Sequence, residues 1–124
     1  MKIMSVILMV LLPSVAFSET VTIACGYKSY ANSDGIHKLN KTFELIFIID
    51  SSNGKAYIVG NNGTEEVHVI KKSVGEGIAF IEITDTGNVM TTAVDAKNNS
   101  VHSRNTMIAN ELIPSQYYGD CIYK

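Results

Sequence analysis

The sequence predicts an all-β domain, an antiparallel meander of about seven to eight strands forming a small barrel or a sandwich. Three observations point there. Apolar residues alternate at period two in most segments. Clusters of Gly, Asn, Asp and Ser interrupt them about every ten to fifteen residues. No window carries an apolar stripe at helical spacing. Closing the sheet on itself removes the edges that so strand-rich a chain otherwise exposes.

The elements follow in order. An early strand carries Cys25, and the polar stretch from Gly26 to Asn40 reads as a long mobile loop. From Thr42 to Asp50, Phe43, Leu45, Phe47 and Ile49 share one face, while Ile46 and Ile48 make the other partly covered. The cluster Asp50-Ser51-Ser52-Asn53-Gly54 turns the chain into Lys55–Val59. Asn61-Asn62-Gly63 tolerates left-handed backbone and leads into Glu65–Lys71. Val74–Gly77 precedes Ile78–Ile83, and Asp85-Thr86-Gly87-Asn88 precedes Val89–Asp95. Lys97-Asn98-Asn99 introduces Val101–Ile108, and a last segment around Gln116–Tyr123 carries Cys121. No repeat, linker or low-complexity tract marks a second domain within 19–124.

Residues 1–18 read as a secretory signal. Lys2 supplies the positive end, Ile3 to Leu12 is uncharged and largely apolar, and Ala16-Phe17-Ser18 offers small residues at a cleavage site. The apolar run is short for a membrane span, which disfavours an anchor. A lipidation site at Cys25 is disfavoured because Thr22 stands where a Leu-like residue is preferred and Cys121 loses its partner. Cleavage after Ser18 leaves the 106 residues Glu19–Lys124, with twelve Asp/Glu against nine Lys/Arg, about −3. No basic patch emerges, so nucleic acid is disfavoured as a partner, and no later run is long enough to span a membrane.

In an exported chain, two cysteines without metal spacing form one disulfide, Cys25–Cys121, pinning the first and last strands together. In that oxidised state neither sulfur is a catalytic thiol. The expected compartment is the periplasm or the exterior.

Catalytic equipment is sparse. His37, His68 and His102 lie in separate segments without metal-ligand spacing, so no metal or other cofactor is expected. His102 and Ser103 are adjacent on a strand, so their side chains diverge and do not make a nucleophile–base pair. There is no Gly-x-Ser-x-Gly elbow, phosphate loop or dinucleotide fingerprint. Glu65-Glu66 is the only adjacent acidic pair and reads as a solvated turn flank. Asn40-Lys41-Thr42, Asn62-Gly63-Thr64 and Asn98-Asn99-Ser100 match the N-glycosylation pattern, as Asn-rich turns readily do.

The candidate binding surface combines Arg104, Gln116, Tyr117 and Tyr118, with the 26–40 segment beside them. Arg104 is the only arginine, a planar fork for a carboxylate. Its structural alternative is an ion pair with Glu82, which interrupts the apolar run Ile81-Glu82-Ile83. Tyr117 and Tyr118 offer apolar area with a hydroxyl; the structural alternative packs one over the disulfide and leaves the other exposed.

Ser103-Arg104-Asn105-Thr106 and Gln116-Tyr117-Tyr118-Gly119-Asp120-Cys121 resemble the Ser-Arg-x-Thr and Gln-Tyr-Tyr-Gly-x-Cys closing segments of small bacterial secreted proteins of unassigned activity. In layout alone the chain is similar to the periplasmic inhibitors of c-type lysozyme. That resemblance implies an eight-stranded barrel with cysteines near both ends and a polar inhibitory segment. The Ser-Gly-x-Ala-Arg-Tyr-like stretch of that family is missing, and Gly75-Glu76-Gly77-Ile78-Ala79 is a remote stand-in, so no inhibitory residue is carried over. The expected function is therefore binding of a protein or envelope component without catalysis. Lysozyme inhibition is the first alternative. An envelope-acting hydrolase and a part in an envelope assembly are the others.

Overall fold

The computed structural model describes residues 19–60, 63–71 and 77–124. The signal segment 1–18, Asn61-Asn62, and Val74 to Glu76 with the Gly75-Glu76 part of the stand-in lie outside the described residues. Eight antiparallel strands run β1 (Thr20–Asn32), β2 (Gly35–Asp50), β3 (Lys55–Gly60), β4 (Gly63–Lys71), β5 (Ile78–Ile83), β6 (Val89–Val94), β7 (Asn99–Ile108) and β8 (Glu111–Tyr123). Each pairs with the next and β8 returns to β1, so the meander closes as a barrel rather than opening into a sandwich.

Closure is fastened covalently. Cys25 and Cys121 are cross-strand partners in the β1–β8 ladder and are joined by a disulfide. A disulfide in a small barrel fits an oxidising compartment outside the cytoplasm. Just beyond it the two backbones come close at Gly119. A Cβ there would collide with the carbonyl of Gly26 and lie 2.8 Å from the Tyr27 Cα, so only glycine lets β1 and β8 pair at this point.

Gly26–Asn40 is not a mobile loop. Apart from the turn residues Ser33 and Asp34 it is strand, paired from Ser29 opposite Lys38 through Tyr30 opposite His37 to Asn32 opposite Gly35. Lys28, Leu39 and Asn40 lie at the irregularity where register shifts. Its polar composition conceals a hairpin whose turn chemistry is explicit. Asn32 Oδ1 accepts the Asp34 amide at 2.9 Å, and Gly35 takes the positive φ of 117° that side chains resist. A second hairpin, β7–β8, turns through Ala109 and Asn110, both at positive φ, the conformation of a two-residue type I′ turn.

Inward residues fill the barrel. Ile23, Leu45, Phe47, Ile49, Ala56, Ile58, Val67, Ile78, Phe80 and Val94 form the apolar core with the disulfide. Phe47 of β2 and Phe80 of β5 meet across the interior as parallel rings 4.1 Å apart. Tyr27 is fully buried too, and its hydroxyl is satisfied by Ser100 Oγ at 2.8 Å. Burial holds that phenol in its neutral form by raising its pKa, against the opposing pull of the Ser100 bond.

Candidate functional site at the barrel mouth

Toward the end of the barrel that carries the β1–β2 and β7–β8 hairpins, the interior changes from aliphatic to aromatic and charged. The change follows from register. Phe80, Thr92, His102 and Tyr117 are successive cross-strand partners through β5, β6, β7 and β8, so they share the inner face. One step toward the mouth, Glu82, Met90 and Arg104 form the next inward row on β5, β6 and β7.

A β-bulge extends the aromatic surface onto the hairpin. Register shifts in β1 between Tyr27 and Ser29, so Tyr27 and Tyr30 both join the inner face despite their odd spacing. Tyr30 then stacks on Tyr117 at 5.6 Å and on His37 at 5.0 Å. Tyr117 also meets Phe43 at 5.0 Å.

His102 and Arg104 form the polar centre. His102 is buried, and its Nδ1 lies 2.7 Å from Thr92 Oγ1. Arg104 Nε donates to His102 Nε2 at 3.0 Å. A guanidinium only donates, so Nε2 carries no proton and Nδ1–H is directed to Thr92. The ring is neutral and both nitrogens are used. Burial first, and the Arg104 charge second, push its pKa down to about 4.

Above this the Arg104 guanidinium carbon lies 4.7 Å from the Phe43 ring centre and 5.2 Å from that of Tyr117. Cation–π attraction and the His102 bond hold it from three sides. Neither Nη group donates a hydrogen bond to another described residue. The guanidinium borders an open cavity of about 340 Å³ with Glu65, Glu82 and Met90 on its wall and Leu45 and Ile58 deeper.

The Glu82 ion pair anticipated for Arg104 is not formed. Among the described residues the one ion pair joins Lys55 to Glu66 at 4.0 Å. Met90 stands between Glu82 and Arg104 in their row, so their backbones lie two strand spacings apart, about 10 Å. Half-burial raises the pKa of Glu82, the Glu65 charge adds to that, and Arg104 opposes both. Arg104→Ala and Glu82→Ala, made singly and together, should lower stability additively to within about 0.5 kcal/mol. Chemical unfolding of the four proteins measures this, and a larger interaction energy would show direct pairing.

The four sequence-nominated residues divide between two faces. Arg104 and Tyr117 point inward, and Tyr117 packs on the core. Gln116 and Tyr118 point outward, where the Tyr118 hydroxyl donates to Gln116 Oε1 at 2.9 Å and Gln116 Nε2 donates to Ser103 Oγ at 3.3 Å. Tyr118 is 39% exposed on that outer surface. His102 and Ser103 do diverge, one into the barrel and the other outside.

Comparison with family models, with curated proteins and with solved structures finds no match. Phe43, Thr92, His102 and Glu82 were not nominated from sequence as parts of a site. The spacing Val101-His102-Ser103-Arg104 already held one signal, since residues two apart on a strand share a face. Among the described residues no group of three or more His, Cys, Asp or Glu is placed to hold a metal ion.

Proposed function

We propose that this chain is an exported, non-catalytic binding protein of the periplasm or cell exterior that engages its partner at the barrel mouth. One observation carries the reading. Arg104 is fixed by two rings and a neutral histidine, lines a cavity, and meets no carboxylate of the described residues at ion-pair distance. A guanidinium so pre-oriented loses little freedom when it forks onto a ligand group. His102 supports the non-catalytic reading, because both of its nitrogens are engaged and Ser103 lies on the opposite face.

The test is affinity capture from cell-envelope extract with the disulfide-closed protein and its Arg104→Ala and Tyr118→Ala variants, each first shown to fold. Loss of about ten-fold or more of the retained component with Arg104→Ala, and retention with Tyr118→Ala, is the expected result. Equal capture by wild type and Arg104→Ala overturns the choice of the mouth.

The closed eight-stranded barrel with its end-to-end disulfide also favours the lysozyme-inhibitor reading, whose layout it shares. A turbidity assay decides that case. Dose-dependent slowing of cell lysis supports inhibition, and none at large molar excess over several lysozymes rejects it.

A further inference from the structure

The mouth carries a specific charge pattern that narrows its ligand, given that the mouth is the binding site as proposed above. Arg104 and Glu82 face the same cavity from one inward row, their backbones about 10 Å apart with Met90 between them. Both are half-buried, and they do not form an ion pair with each other. Each is a partly desolvated charge without an opposite charge in contact, an arrangement that costs free energy until a counter-charge arrives. Glu65, on the same wall, repels Glu82 and raises the demand for a cation there.

Three ligand types meet this pattern differently. A simple anion satisfies Arg104 but brings a third negative charge close to Glu65 and Glu82. A simple cation satisfies the carboxylates but approaches Arg104. A molecule with carboxylate and ammonium a few ångströms apart satisfies both ends at once. Side chains reaching inward from backbones two strand spacings apart can each make hydrogen bonds of about 2.8 Å to one end of such a molecule. Glu44 also borders the cavity, adding to its negative side, and Phe43, Leu45, Ile58 and Met90 offer apolar surface to an aliphatic side chain. The cavity, about 340 Å³, has room for a molecule of that size.

We infer that the barrel mouth binds a small zwitterion of the α-amino-acid class, its carboxylate forked by Arg104 and its ammonium held by Glu82 with Glu65 behind it. Calorimetric titration of the disulfide-closed protein with leucine, N-acetyl-leucine and leucinamide tests this, because the three share a side chain and differ only in end charges. Leucine should bind about ten-fold or more tightly than either blocked form. Glu82→Gln should lose the preference over N-acetyl-leucine, and Arg104→Gln the preference over leucinamide, with folding of both variants checked by circular dichroism.

N-acetyl-leucine binding as tightly as leucine would make the mouth an anion site, and equal binding of leucinamide would make it a cation site. Either overturns the zwitterion. Absence of leucine binding at about 10 mM overturns it as well. An Arg104-dependent capture result in envelope extract would then still stand, so the two readings fail separately.

Discussion

Replacing Cys25 and Cys121 together by alanine should lower the unfolding free energy by about 4 to 5 kcal/mol. The bridge joins residues 96 apart in sequence, so it closes nearly the whole described chain into one loop. In the chain-entropy model a loop of that length restricts the unfolded ensemble by about 4.7 kcal/mol. Net stabilities of small domains are about 5 to 15 kcal/mol, so the variant should fall near the limit of folding. The effect is topological as well as entropic, because the two cysteines face each other in the β1–β8 ladder that closes the barrel. Denaturant unfolding of the variant and of reduced wild type should show matching shifts in midpoint. A loss below about 1 kcal/mol in both would mean that β1 and β8 hold together through hydrogen bonding and packing alone.

Acidification should produce the next largest effect, about 3 kcal/mol, through His102. Its pKa is about 4 in the fold and about 6.5 in the unfolded chain. Between those values the unfolded state binds a proton that the native state does not, so stability rises with pH. The His102 contribution is complete above about pH 6.5 and is lost as pH falls through 4. Protonation also turns Nε2 into a donor facing the Arg104 Nε donor, which breaks their bond and places two positive charges side by side. Glu82 acts in the opposite sense, since its raised pKa makes the fold more tolerant of acid. The difference between wild type and His102→Gln isolates the histidine. Urea unfolding from pH 7 to pH 4 should give a steeper fall for wild type, and parallel curves would mean that His102 titrates normally.

The strand Thr42–Asp50 announced its buried face, because Phe43, Leu45, Phe47 and Ile49 recur at period two and all four turn inward. The turn at Asp50–Gly54 was legible from Asp and Gly, and Asp50 does accept the Ser52 amide at 3.0 Å. The 26–40 hairpin was not. Its inner residues are Tyr30 and His37 rather than aliphatics, and the bulge after Tyr27 breaks the alternation that marks a strand.

The candidate site was legible in part for a related reason. Arg104 stands out as the single arginine, and charge alone offers it acidic neighbours such as Glu82. Cross-strand register instead put Met90 between them and brought Phe43 and Tyr117 beneath the guanidinium. Adjacency also misgrouped Tyr117 and Tyr118, which register assigns to opposite faces of β8.

Local pattern alone settled the all-β class, most strand positions and the pairing of the only two cysteines, because alternation, turn chemistry and a count of two need no distant partner. The choice of barrel over sandwich, the β1–β2 hairpin and the Arg104–His102–Phe43–Tyr117 constellation came from closure and register. Those are long-range quantities. One bulged residue reverses which side chains face inward, and nothing within the strand itself records what lies opposite.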